Sequence, residues 1–241
     1  MKTFTIKIAG YTFEVNTEHD FSYQMCVPFL VQEKAQYHVR VFEQDISNEM
    51  QWAKTGGLLR YRSEDEYEFI ALLRIIADIL IDQDIFLIHG AAIYLDQKAF
   101  LFSGKSGAGK TTHIFKWLQH RPDLCIINGD KPFIRVDNVP MVCSSPWSGK
   151  ECIVNNMITP LSSVIFLERS NINNIKKISN VDALPFMLQQ VYFPADEFTT
   201  RNVLHLVQQF MSKMTFWHFQ CNNLTDDCFH IAHNALLNNK S

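Results

Sequence analysis

No Cys-x-x-Cys pair occurs in this chain, and its six cysteines, at 26, 125, 143, 152, 221 and 228, follow no recognised disulfide or metal spacing. A chain of 241 residues has no need of disulfide staples. Free thiols in a reducing cytosol are the expectation. No apolar run reaches the roughly 18 residues of a membrane-spanning helix. The start, Met-Lys-Thr-Phe-Thr-Ile-Lys-Ile, alternates like a strand and has no apolar signal region. A cytoplasmic protein with no membrane partner is expected. Charge of one sign is also missing. Lys and Arg number 22 against 25 Asp and Glu, a net charge of -3, so no basic field points to a nucleic-acid partner. There is no internal repeat and no low-complexity tract. What is present is a 47% hydrophobic, 20% charged chain, able to bury a core and unlike a disordered one.

Residues 104–111 read Gly-Lys-Ser-Gly-Ala-Gly-Lys-Thr, a full match to the phosphate-binding loop G-x-x-x-x-G-K-[ST]. The chemistry needs those residues. Backbone N–H groups of Gly104, Lys105, Ser106, Gly107, Ala108 and Gly109 curl around phosphate oxygens. Lys110 reaches the β/γ-phosphates, Thr111 offers a hydroxyl to Mg²⁺, and Thr112 continues the first turn. The flanks fit as well. Ala99–Ser103 is an apolar strand candidate, and Thr112–Leu118 reads as a helix whose positive pole adds to the cradle. A chance match in a chain this long is on the order of one in a hundred.

Around that loop the pattern predicts α/β alternation. Residues 2–8, 12–15 and 37–42 alternate at period two and predict a small antiparallel N-terminal sheet. Ser63-Glu64-Asp65-Glu66 is a capping box ahead of a helix with Phe69, Leu72, Leu73, Ile76, Ile79 and Leu80 on one face. The stretch 52–62 is ambiguous, with Gly56-Gly57 as a turn. Strands are predicted at 85–88, near 93–94, 99–103, 124–127, 131–136, 139–142, 163–167 and 215–219. Helices are predicted at 112–120, 183–190, 202–211 and about 225–237. The Asn-rich stretch 170–179 reads as a surface loop, and 191–200 as a loop able to serve as a lid.

Further residues carry candidate chemistry. Asp130 follows an apolar strand downstream of the loop, where a metal-binding or base carboxylate belongs. Asn128-Gly129 is equally a hairpin signal that makes Asp130 a turn residue. His89 ends an apolar strand and is either a site group or a structural histidine. Ser145-Pro146-Trp147-Ser148-Gly149-Lys150 either presents Lys150 to phosphate or is a loop with a buried Trp. Arg201 is a phosphate-contact candidate beside the lid. His230 and His233 share a helical face, with Cys221 and Cys228 nearby but at no recognised zinc spacing.

His89-Gly90-Ala91-Ala92, Phe102–Thr111, Ile127-Asn128-Gly129-Asp130-Lys131 and Pro146-Trp147-Ser148-Gly149-Lys150 together resemble the HPr serine kinase/phosphorylase family. The likeness is nearest to its short relatives, including kinases of peptide biosynthesis clusters, and covers roughly residues 84–170. It implies an α/β fold shared with phosphoenolpyruvate carboxykinases: a P-loop core on a strongly bent mixed sheet with flanking helices and a small N-terminal sheet. It implies one kinase-like domain, with strands and a helix over 1–83, the nucleotide-binding core over 84–170, and helices with a strand over 171–241. It also implies ATP- and Mg²⁺-dependent phosphoryl transfer to a serine or other hydroxyl of a peptide, protein or small molecule. By position His89 matches the family's histidine near the transferred phosphate, and Asp130 the second of two consecutive aspartates. Catalysis then falls to Asp130, His89 and Lys110, and metal binding to Thr111 and Asp130.

The departures are specific. Gly129 replaces the first aspartate, and Glu151 or Glu168 is left to supply that role. The loop ends Lys-Thr-Thr instead of Lys-Ser-Glu, and the glycine-rich C-terminal signature is missing, so HPr is not the expected substrate. A non-catalytic nucleotide-binding regulatory or assembly module is the alternative. Relatives often assemble, so a homo-oligomer is compatible with the chain.

Overall fold

The computed structural model describes residues 1–55, 62–149, 154–222 and 225–238. They form two compact units, Met1–Gln83 and Asp84–Ser241.

In the first unit, β1 (Lys2–Ile8) and β2 (Tyr11–Thr17) make an antiparallel hairpin. Its two turn residues, Ala9 and Gly10, both have positive φ, the twist that suits a two-residue turn. Helix α1 (Asp20–Cys26) follows, and β3 (Tyr37–Arg40) then pairs with β2 in parallel, where an antiparallel sheet was expected. A parallel return needs a long crossover, and residues 18–36 supply it. Residues 43–55 form helix α2 (Glu43–Thr55), which covers the start of the ambiguous stretch; Gly56 and Gly57 lie outside the described residues. The capping box opens α3 (Glu64–Ile81) as expected, with Glu66 Oε2 accepting from Ser63 N at 3.1 Å. Glu68 on α3 is fully buried, and its carboxylate accepts from Glu18 N, His19 N and Ser22 Oγ. Those donors are the start of α1, whose own cap residue His19 gives no side-chain bond. A charge this deep is tolerable because its oxygens are filled.

The second unit runs β4 (Ile85–Leu87), β5 (Gly90–Leu95), β6 (Lys98–Ser103), α4 (Lys110–His120), β7 (Cys125–Asn128), β8 (Phe133–Arg135), β9 (Met141–Cys143) and β10 (Ile158–Arg169). Then come β11 (Asn174–Ile178), α5 (Asn180–Leu188), α6 (Glu197–Lys213), β12 (Phe216–Cys221), α7 (Asp227–His233) and a π-helical turn at Asn234–Asn238. Nine strands form one mixed sheet, ordered β4-β8-β9-β10-β6-β5-β7, with β12 also on β10 and β11 on β12. Strand β10 joins its two parts. Ile158–Pro160 pair antiparallel with β9, and Leu161–Phe166 pair parallel with β6 across a register shift. Val164–Arg169 pair parallel with β12. Alternation along β10 sends Ile165 and Leu167 into a core with Phe102, Ile114, Trp117, Phe219 and Phe229, beneath α4 and α7. Phe166 faces the other way, stacked on Phe186 of α5.

One surface-loop expectation is corrected and a second is trimmed. The Asn-rich stretch contains β11, an edge strand whose Lys176 and Lys177 face solvent, so its apolar signal is thin. Residues 191–196 are a loop, as expected, but 197–200 are the first turn of α6, and the loop is tied at both ends. Val191 bridges Ile88, Tyr192 N donates to Leu87 O, and Asp196 caps α6 through Thr199 N at 2.7 Å. Among the described residues no helix is long and apolar enough to cross a membrane. The five cysteines among them are unbridged.

Candidate active site

Strand β6 ends at buried Ser103, and the chain then turns through Gly104 (φ 155°), Gly107 (φ 80°) and Gly109 (φ 92°) into α4. Strand, glycine-rich turn and helix N-terminus thus follow in the order a phosphate cradle requires. Ala108 is buried in the core and anchors the loop, while Lys105, Ser106 and Gly107 are exposed at its crown. A Cβ at Gly107 would meet nothing within 4 Å, so the crown opens onto free space. Lys110 lies back across the loop, its Nζ donating to Gly104 O at 2.9 Å. Burial lowers its pKa most and Lys131 adds to this, while Asp130 opposes. Thr111 and Thr112 are exposed on the first turn of α4.

His89 and Asp130 meet beside this loop. The β5–β6 hairpin pairs Gly90 with Ser103, and Ser103 Oγ donates to His89 O at 2.6 Å. Gly90 N donates to Asp130 O at 2.9 Å. His89 Nε2 then lies 3.1 Å from Asp130 Oδ1. Burial depresses the His89 pKa most; the Asp130 hydrogen bond opposes, and Lys131 and Lys110 add to the depression. For Asp130 burial is the largest single influence and raises its pKa. The His89 bond and the charges of Lys131, His89 and Lys110 together outweigh it and leave the carboxyl below its ordinary value. At neutral pH the pair is therefore a neutral imidazole with Nε2 beside a carboxylate oxygen.

The residue that builds this corner is Asn128, which the sequence offered only as half of a hairpin signal. No hairpin forms, because β7 pairs with β5 while β8 pairs with β4 and β9. Asn128 is fully buried. Its Oδ1 accepts from Asp130 N at 2.9 Å and Lys131 N at 2.8 Å. Its Nδ2 donates to Ser145 O and Oγ. One carboxamide thus fastens Asp130, Lys131 and the Ser145–Trp147 segment together, and Asp130 is not a hairpin turn residue.

Other candidates fall elsewhere. Lys150 and Glu151 lie outside the described residues; Trp147 before them is buried, as the loop reading expected. Arg201 is exposed on α6 and pairs with Glu197 one turn back. Glu168 stands near the end of β10, one residue after Leu167, whose carbonyl adjoins Gly104, and has His218 Nε2 at 3.0 Å.

His230 and His233 do not gather the cysteines. His230 packs against His120, and His233 lies 3.2 Å from Arg121 Nη1. It is His113, three residues into α4, that meets Cys221 and Cys228, with ligand atoms within 4.8 Å of one another. The Trp117 indole N–H, a donor only, points at His113 Nε2 from 2.9 Å. That nitrogen accepts, so the ring proton sits on Nδ1, facing Cys221 Sγ at 3.8 Å. A metal on Nδ1 would force a proton onto Nε2 against the indole, contrary to the outward donation that metal-bound histidines make. The trio is a hydrogen-bonded part of the core under α4. A bond from Cys221 holds the Cys228 thiol below its ordinary pKa, against burial and with help from His113.

No family model matches the chain, and no curated protein does either. Among 44 solved chains that match is the HPr(Ser) kinase/phosphatase from Coxiella burnetii. It is 10% identical, with a TM-score of 0.37, and the match covers 64% of this chain and 99% of that one. What this chain does has to be read from its own residues.

Proposed function

We propose that this protein is an ATP-dependent phosphotransferase acting on a serine or other hydroxyl of a peptide, protein or small molecule. The observation that carries the reading is the His89–Asp130 pair, 3.1 Å apart, beside a complete phosphate-binding loop. A loop alone argues only for phosphate. A neutral imidazole held by a carboxylate adds a group able to take a hydroxyl proton.

On this reading the loop amides and the α4 N-terminus hold the β/γ-phosphates, and Lys110 leaves Gly104 O to meet them. Asp130 holds Nε2 of His89, which leaves Nδ1 as the nitrogen to receive the acceptor's proton. Either group serves as base, Asp130 directly or through His89. Thr111 and Asp130 are hard oxygen donors, which suits Mg²⁺, and the open crown at Gly107 leaves room for phosphate. Held by Thr111 and Asp130, Mg²⁺ would supply charge neutralisation for the phosphates. Phosphoryl transfer is mostly positioning and charge neutralisation, which fits a site with few reactive groups.

A second reading is a regulatory or assembly module that binds nucleotide without transferring phosphate. The observation favouring it is Gly129, which leaves a single carboxylate at the end of β7. Incubation with γ-labelled ATP and the products of neighbouring genes separates the two. Label on an acceptor, lost in Asp130→Asn, supports the kinase. Label that never leaves ATP, with Asp130→Asn binding nucleotide as wild type does, supports the module.

A further inference from the structure

Two thiols that the proposed reaction does not use face one another beneath α4. Cys221 is the last residue of β12 and Cys228 the second of α7, and both are fully buried. Their Sγ atoms and a His113 ring nitrogen lie within 4.8 Å of one another. A disulfide has an S–S length of about 2.05 Å, so the sulfurs have less than about 3 Å to close, within reach of side-chain rotation at both residues. The pair is also unequal. The Cys221 hydrogen bond holds the Cys228 pKa below its ordinary value, against burial and with help from His113 and Lys116. Cys221 is pushed up, by the same bond and by burial. A thiolate beside a thiol lets one sulfur attack and its neighbour resolve. Burial pushes Cys26, Cys125 and Cys143 up instead. Access comes through α7, a helix of seven residues whose cap residue Asp226 gives it no side-chain bond. A short first turn of that kind opens locally at small cost.

We propose that Cys221 and Cys228 are a peroxide-responsive dithiol, which closes to a disulfide tying the end of β12 to the first turn of α7. The Cys228 thiolate attacks one oxygen of hydrogen peroxide. An S–O bond forms, the O–O bond breaks, and the departing hydroxide takes the proton that Cys228 had released and leaves as water. Cys221 then attacks the sulfenic sulfur. The S–S bond forms, the S–O bond breaks, and the hydroxide leaves with the Cys221 proton as a second water. Two thiols and one peroxide thus become one disulfide and two waters, and a thiol reductant reopens the bond.

The test is hydrogen peroxide added to the folded full chain, followed by alkylation of the remaining thiols, digestion and mass spectrometry. A Cys221–Cys228 cross-linked peptide, lighter by two hydrogens and reopened by dithiothreitol, is expected before Cys26 or Cys143 reacts. In Cys221→Ser the oxidation should stop at a Cys228 sulfenic acid that dimedone captures. In Cys228→Ser, Cys221 should lose its thiol at least roughly tenfold more slowly than in wild type. Thermal melting checks that both variants fold, and the wild-type cross-link alone decides if either does not. The proposal fails if the cross-link is missing once half-buried Cys125 has been oxidised, or if Cys26 and Cys143 react as fast as the pair. It also fails if folded Cys228→Ser loses the Cys221 thiol as wild type does.

Discussion

Replacing Gly104 by Ala tests how the Gly104–Thr111 loop is seated. A Cβ built there lies 2.6 Å from Leu167 O and 3.3 Å from the Ala108 Cβ, and Gly104 has φ +155°. Ordinary contact begins at 3.4 Å, so the carbonyl must retreat by about 0.8 Å. Leu167 cannot give way easily. It lies on β10 between β6 and β12, paired with Phe219, and its side chain is buried. Moving it strains a central ladder, so overpacking of about 1–3 kcal/mol adds to about 1–2 kcal/mol of backbone strain. The control is Gly107→Ala at φ +80°, where nothing lies within 4 Å and only the backbone term of about 1–2 kcal/mol applies. Urea unfolding of the two variants is expected to show Gly104→Ala less stable by about 1–3 kcal/mol than Gly107→Ala. Nucleotide affinity should fall in both, since both disturb the cradle. Equal stability of the two variants would show that the loop does not sit against β10 as described.

Asp130→Asn should lower the His89 pKa further, because both the hydrogen bond and the charge of Asp130 raise it; an imidazole NMR titration that shows no fall contradicts the pairing. Stability should decline as pH drops through His89's ordinary value of 6.5, since the folded state resists the proton that the unfolded chain accepts. The decline levels off below the depressed folded pKa, and His89→Gln should flatten it in denaturation curves between pH 7 and 5. Asn128→Ala removes the acceptor of the Asp130 amide and the donor to Ser145 O, while the Lys131 amide keeps Trp147 O, for a loss of about 2–4 kcal/mol by urea unfolding; a change below about 1 kcal/mol would show that other groups hold the corner. Trp117→Phe removes the indole donor to buried His113 Nε2, and thermal melts should show a loss of about 1–2 kcal/mol.

The parts of the fold that were legible in the chain are those carried by local rules. The capping box at Ser63, the apolar face of α3 and the β6–loop–α4 unit all follow from residue type and spacing. The β5–β6 turn was not legible in the same way, because Asp96 and Gln97 take φ 49° and 62° with no glycine between them. What was not legible depends on distant partners. The parallel pairing of β3 is set by the crossover, not by its own alternation. Edge strand β11 buries too little to show a pattern. Asn128 looked like a turn residue because its role lies in Ser145, seventeen positions away. The cysteines meet His113 only because β12 and α7 fold against α4, a contact that spacing around His230 and His233 does not encode. His89, Lys110 and Asp130 lie in separate segments, and it is the pairing of Gly90 with both Ser103 and Asp130 that brings the segments together.

The central claim is that a nucleotide's phosphates bind at Gly104–Thr111, and calorimetric titration of the full chain with Mg·ATP tests it most directly. Wild type should bind, and Lys110→Ala, which removes the loop's own ammonium but leaves its amides, should bind at least roughly tenfold more weakly. No heat of binding at millimolar ATP, or equal affinity in the two proteins, would contradict the account.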